Sequence, residues 1–146
     1  MSGTPRALFI DTGGFYARVD DDDANHEQAT AVFEAIATGE YGPVFTSRYV
    51  LAELTTLILY KLSHREAVTA LTEIRESDTI NLLPVDSDTF TQTFEQFEQY
   101  DDQEISFIDH LGSVLAANHG IDYVFAFDGD FATLGFNRVP VDTGTP

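Results

Sequence analysis

Several carboxylates stand at the ends of predicted strands or in the first turns of predicted helices, where a parallel sheet presents its ligands. Three or four carboxylates held at one point repel one another and do not all stay ionised without a cation. A ligand set made only of oxygens selects hard ions, Mg²⁺ or Mn²⁺, rather than zinc. The sequence therefore predicts a divalent-metal site. The acids concerned are Asp11, Glu53, Asp109 and Asp128, with Asp130 two residues after the last.

Each of these acids also has an ordinary structural use. Asp11 could end a strand in a turn or cap a helix, and Asp109 could complement a helix dipole. The DGD of residues 128–130 could serve only as a turn. Glu53 is harder to explain in this way, because an unpaired charge inside the apolar segment YVLAELTTLILY should face a core, where it is costly. The set as a whole favours a metal site over four separate structural uses.

The elements that would position these acids alternate between strand and helix. Short apolar runs at 6–11, 43–47, 79–86, 122–127 and 137–141 predict five strands. A turn follows the first strand, and helical spacing then predicts helices within 25–39, 48–62, 65–77, 87–100 and 106–120. This alternation predicts one α/β domain over residues 1–146, with a mostly parallel central sheet of about five strands and helices on both faces.

Helical spacing also predicts caps and burial. Ser106 is placed as an N-cap with Asp109 three residues later, as in a capping box. The segment 48–62 is apolar on most faces and is predicted to be buried. The stripe formed by Phe90, Phe94 and Phe97 is more typical of core than of an interface. His110 follows Asp109 directly, and because successive helix positions point apart, it is predicted to lie at the surface.

The charge of the chain is unusual. Twenty-five acids oppose seven lysines and arginines, which gives a formal net charge of −18. A folded domain with such a surface repels itself, and concentrated salt relieves the repulsion because the Debye length at 1 M is only about 3 Å. The composition indicates a protein adapted to a high-salt cytoplasm, so the negative charge does not argue against a nucleic-acid partner.

The residues that are missing exclude several function classes. The chain has no cysteine, which excludes disulfides, thiolate catalysis and cysteine-based zinc sites. No apolar run approaches eighteen residues, and the N-terminal MSGTPRALFID does not read as a signal sequence. We expect a cytoplasmic protein that does not enter membranes.

Three blocks of the sequence resemble PIN-domain ribonucleases, especially the VapC-type toxins of toxin–antitoxin pairs. The blocks are LFIDTGGFYA, TSRYVLAELTTLI and SFIDHLGSVLAANHGIDYVFAFDGDF, and together they span nearly the whole chain. The resemblance implies an RNA substrate, an antitoxin partner and a homodimer. It also implies an acidic quartet with an auxiliary acid and two hydroxyls that orient carboxylates. The quartet is Asp11, Glu53, Asp109 and Asp128. The auxiliary acid is Asp130, and the two hydroxyls are those of Thr12 and Ser106.

The leading hypothesis is a metal-dependent endoribonuclease that hydrolyses RNA phosphodiester bonds with bound Mg²⁺ or Mn²⁺. Arg48, beside the end of the second predicted strand, is placed to contact a phosphate, although it could equally be an ordinary surface residue. A non-catalytic PIN-fold scaffold that binds RNA or protein stays open. A magnesium-binding receiver-like signalling domain fits less well, because such domains need a lysine after the last strand and Lys61 is the only lysine.

Overall fold

Five parallel strands form the centre of the fold, as the sequence predicts. The structure is a computed structural model that describes residues 5–146. Residues 1–4, which belong to the predicted domain and to the N-terminal segment considered above, lie outside the described residues. The strands are arranged in the order β3-β2-β1-β4-β5, and every neighbouring pair is parallel. They are β1 (Leu8–Ile10), β2 (Val44–Thr46), β3 (Ile80–Leu82), β4 (Tyr123–Ala126) and β5 (Asn137–Pro140).

Helices connect the strands and cover the sheet. The right-handed rule for parallel crossovers places α1–α4 on one face and α5 and α6 on the other. The packing agrees, since α1 contacts α2 and α3, α3 contacts α4, and α5 contacts α6. The helices are α1 (Thr12–Val19), α2 (His26–Ala37), α3 (Arg48–Lys61), α4 (His64–Glu76), α5 (Ser87–Gln99), α6 (Phe107–Asn118) and α7 (Asp130–Thr133).

Two of the helices are absent from the sequence prediction. The glycines at the start of α1 indicate a turn, yet they continue the helix because α1 lies very close to the sheet. A Cβ on Gly14 would sit 2.8 Å from the carbonyl oxygen of Phe125 in β4. α7 is a single turn of four residues that follows the DGD segment, too short to show helical spacing.

The order of the strands creates a crevice beside β1. In chain order, β2 and β3 are added on one side of β1, and β4 and β5 are then added on the other side. Ile10 and Phe125 are register partners, and the Asp11 N–H donates to the Phe125 carbonyl oxygen at 3.1 Å. Ligands of open parallel sheets bind beyond the carboxyl ends of the strands at this kind of switch point. The ends of β1 and β4 therefore define the candidate site.

The core accounts for most of the apolar sequence, with three corrections. α3 buries only one side, because within residues 5–146 no element covers its opposite side, where Tyr60 is 82% exposed. The three phenylalanines predicted as a core stripe, Phe90, Phe94 and Phe97 on α5, are also largely exposed. His110 is buried rather than at the surface: it does point away from Asp109, but α5 occupies that direction. Among residues 5–146, no helix is long and apolar enough to cross a membrane.

Candidate metal centre

Asp11 enters the crevice from the end of β1. It is the N-cap of α1, and its carboxylate accepts the Gly13 N–H at 3.4 Å. The same residue is 5% exposed, because β4 lies beside it and α1 covers it. Asp11 thus performs the helix-capping role that its position allows, while its carboxylate remains at the edge of the crevice.

Asp109 comes from the first turn of α6. The Ser106 hydroxyl oxygen accepts the Asp109 N–H at 3.1 Å, which confirms the predicted cap and fixes where α6 begins. Asp109 is 7% exposed although α6 starts near the surface. Its carboxylate is turned toward the acids that follow β4.

The segment after β4 supplies two more carboxylates. The Asp130 N–H donates to Asp128 Oδ1 at 2.9 Å, so Asp128 forms the turn that starts α7. Phe131 is completely buried and anchors this turn in the core. Asp109, Asp128 and Asp130 each place one carboxylate oxygen within 4.8 Å of the others. Asp130, predicted only as an auxiliary acid, therefore belongs to the same cluster as Asp109 and Asp128.

Two of the carboxylates, Asp11 and Asp109, have raised pKa values, mainly because they are buried. Burial raises the pKa of Asp11 to about 7, and the charges of Glu53 and Asp128 add to the shift, while N–H groups of Thr12 and Gly13 oppose it. Burial likewise raises the pKa of Asp109 to about 8, with further contributions from Asp11, Asp128 and Asp130. Without a cation, part of this cluster stays protonated at neutral pH.

Glu53 completes the set from α3. It is half-buried, whereas Leu51 and Leu54 on either side of it are buried in the core. Its charge acts on Asp11, which places it on the Asp11 side of the crevice. The acid that seemed misplaced in an apolar helix therefore faces other carboxylates rather than the core.

The two hydroxyls differ in what they do. Thr12 is 6% exposed, and its hydroxyl has no hydrogen-bond partner in the part of the chain that the structure describes. A buried polar atom without a partner is costly and marks a place where a bound ion, water or ligand belongs. Ser106 caps α6 and so positions Asp109 through its backbone N–H. Within residues 5–146, neither hydroxyl donates to a carboxylate of the cluster.

Arg48 and His110 belong to the two helices that carry Glu53 and Asp109. Arg48 is the first residue of α3, is exposed, and forms no ion pair with any described residue. His110 lies next to Asp109, with its Nδ1 2.9 Å from Gln96 Nε2. Burial lowers the pKa of His110, and the nearby charge of Asp130 opposes that shift. The sequence prediction placed His110 at the surface, because its burial depends on the packing of α5 over α6.

Comparison with known proteins decides the family. The chain matches the PIN domain over residues 8–137. The chain belongs to the PIN-domain family. It is 33% identical over 132 residues to "23S rRNA-specific endonuclease VapC20" of Mycobacterium tuberculosis, covering 90% of this chain and 97% of the relative. It is 27% identical to a "VapC ribonuclease" of Archaeoglobus fulgidus, covering 88% of this chain and 83% of that one.

Solved structures show the same PIN fold. The crystal structure of VapC20, described as a "Sarcin-Ricin loop cleaving toxin", superposes with a TM-score of 0.82 and covers 90% of this chain and 98% of its own. VapBC2 from Rickettsia felis, solved with a promoter DNA fragment, superposes with a TM-score of 0.65 at 13% identity, covering 88% of this PIN domain and 92% of its own chain. The predicted PIN-like fold is therefore confirmed.

Proposed function

We propose that this PIN domain is a metal-dependent endoribonuclease and the toxin component of a toxin–antitoxin pair. One observation carries the proposal: carboxylates from β1, α3, α6 and the β4–α7 turn gather in one crevice with no cation to pair with. Among the described residues, no lysine or arginine forms an ion pair with any of them. Both Asp11 and Asp109 are nevertheless buried, which is unfavourable for carboxylates unless a cation is bound.

The donor set fits a hard divalent ion. We infer that Asp109, Asp128 and Asp130 would hold Mg²⁺ or Mn²⁺, with Asp11 and Glu53 directed to the same crevice. When bound, such an ion neutralises the acidic pocket, polarises a phosphoryl oxygen and lowers the pKa of a bound water. The absence of cysteine from the chain, and of histidine from this cluster, argues against zinc.

Other groups of the chain would orient the substrate. The unpartnered Thr12 hydroxyl can donate to a water or a phosphate oxygen in the crevice. Arg48 stands at the start of α3, on the helix that carries Glu53, and its free guanidinium can contact an adjacent RNA phosphate. Glu53 and Asp11, which are directed to the same crevice, can accept a proton from the attacking water.

The relatives support an RNA substrate and a protein partner. VapC20 and the Archaeoglobus protein are named as an rRNA endonuclease and a ribonuclease, and the similarity to VapC20 covers 90% of this chain. A structured ribosomal RNA stem-loop is therefore the first substrate to test. The VapBC2 structure supports an antitoxin as partner. A homodimer stays a prediction.

The test is cleavage of a labelled ribosomal RNA stem-loop in molar salt. The metal-free protein should be inactive, Mg²⁺ or Mn²⁺ should restore cleavage, and Ca²⁺ should restore it poorly. Asp109→Asn should abolish cleavage, while Asp122→Asn, an exposed acid outside the cluster, should not. Full cleavage in excess chelator would refute metal dependence. RNA binding without cleavage at any divalent ion would favour the scaffold alternative.

A further inference from the structure

A row of phenylalanines lies uncovered on the face of the sheet opposite α1–α4. Phe90, Phe94 and Phe97 are 44%, 54% and 43% exposed and follow one another at helical spacing along α5. Phe107 at the start of α6 extends the row, with its ring centroid 5.2 Å from that of Phe90 and 5.8 Å from that of Phe97. We call these four residues the phenylalanine stripe. A contiguous exposed aromatic patch of this kind marks an interaction site.

The charges around the stripe are all of one sign. Glu95 and Glu98 are exposed and lie along its outer flank, one position after Phe94 and Phe97. The chain has no lysine or arginine anywhere in residues 76–137, which include all of α5 and α6. Most of its cations, including Arg18, Arg48 and Arg65, lie in α1, α3 and α4. The acidic character of this face is therefore stronger than that of the molecule as a whole.

This charge pattern selects the occupant. RNA phosphates would meet only carboxylates here. A second copy joined through the same face by a two-fold axis would bring the same acidic surface, including its Glu95 and Glu98, against this one. An apolar helix flanked by lysines or arginines would instead bury its apolar side on the rings and pair its cations with the acids.

The geometry points to the phenylalanine stripe as a docking surface for a basic amphipathic helix of a partner protein. The surface is separate from the acidic crevice but touches its support. Phe97 packs edge-on against the His110 ring at 5.6 Å, and the neighbouring Gln96 hydrogen-bonds to His110 and Ser113. A helix bound to the stripe would cover Phe97, one of the side chains through which α5 packs on α6, and this contact lies next to Asp109 in α6. The inference does not depend on the chain being a nuclease.

The test uses a synthetic helical peptide with a leucine stripe flanked by lysines. Its control is the same peptide with glutamates in place of the lysines. Fluorescence anisotropy with the full chain, at the lowest salt that keeps it folded, should show at least tenfold tighter binding of the lysine peptide. Phe94→Ser should weaken that binding about tenfold, whereas Tyr60→Ser, on the exposed side of α3, should leave it unchanged.

Two double variants test the role of the acids beside the stripe, and each removes two negative charges, so the two variants have the same net charge. Glu95→Gln with Glu98→Gln should weaken binding of the lysine peptide, and Glu27→Gln with Glu34→Gln on α2 should not. Equal binding of both peptides, or equal effects of both double variants, would overturn the proposal. So would a wild-type dimer that Phe94→Ser dissociates in sedimentation, or RNA affinity lost in Phe94→Ser, since either result would assign the stripe to a different occupant.

Discussion

Asp128 and Asp130 share one turn but contribute differently to it. Asp128 accepts the Asp130 N–H through Oδ1, which leaves Oδ2 free for the cluster. The Asp130 carboxylate lies beside that of Asp109 and contributes to raising its pKa. An asparagine at 128 can still accept the N–H but removes a charge from the cluster. An asparagine at 130 can donate its side-chain N–H to Asp109 and so remain beside it.

We therefore predict that Asp128→Asn costs more activity than Asp130→Asn. The loss should be about 100-fold for Asp128→Asn, in the range seen when one group that stabilises the transition state is removed, and about tenfold for Asp130→Asn. RNA cleavage with Mg²⁺ measures both. In metal-free protein, Asp128→Asn should leave the melting temperature unchanged or raise it. Normal cleavage by Asp128→Asn would leave this residue with only its turn-forming role.

The buried acids also predict how stability changes with pH. Burial raises the pKa of Asp11 to about 7 and that of Asp109 to about 8, from an ordinary value of 3.8. A carboxyl with a higher pKa in the folded state binds more protons folded than unfolded. The free energy of unfolding therefore falls as pH rises from about 4 to about 8. The loss should be complete above the folded-state pKa values.

Urea unfolding of the metal-free protein at pH 5 and pH 8 measures this dependence. Asp109→Asn should lose less stability between the two pH values than the wild type, and Mg²⁺ should restore the wild type at pH 8. The surface acids are the same in both proteins, so the difference isolates Asp109. Parallel pH profiles for the two proteins would show that the cluster is not under electrostatic strain.

At the scale of elements, the close approach of α1 to β4 holds the Asp11 side of the crevice. Gly14 has no room for a Cβ beside the Phe125 carbonyl, while a Cβ on Gly13 would meet only Asp11 Oδ2 at 3.8 Å. Gly14→Ala should push α1 outward and destabilise the fold by about 1–3 kcal/mol, the usual cost of overpacking. Gly13→Ala should be neutral or stabilising, because alanine favours a helix.

Thermal melting of the two alanine variants checks this prediction. Gly14→Ala should also cleave RNA more slowly at temperatures where it remains folded, because Asp11 caps the displaced helix. Gly13→Ala is the matched control one residue away. Equal melting temperatures for the two variants would mean that α1 does not depend on this contact.

At the scale of the whole molecule, the net charge of −18 predicts a dependence on salt. Repulsion among surface acids should make unfolding less cooperative near 0.1 M salt, and molar salt should restore a sharp transition because it screens these charges. Calorimetry or circular dichroism at the two concentrations measures the effect. A melting temperature that is the same in both would contradict the high-salt interpretation of the composition.

The sequence by itself determined the strands, most of the helices and the acids worth testing, because these depend on local patterns. Apolar runs and helical spacing specify elements from near neighbours, and an acid at a strand end is placed by that element alone. Glu53 was singled out because its charge conflicts with its own helix. The two helices without local signals, α1 and α7, were missed, since only the contact of Gly14 with β4 and the burial of Phe131 explain them.

Only the tertiary structure decided which faces of the helices are covered and which acids meet. The phenylalanines of α5 look like core residues in sequence, but they stay 43–54% exposed, and α3 leaves Tyr60 82% exposed on the side away from the core. His110 looks like a surface residue, but α5 lies over it. Asp130 joined Asp109 because the turn after β4 ends beside the start of α6. Which helix faces are covered and which acids meet depend on residues far apart in the chain, so the spacing of neighbouring residues does not predict either.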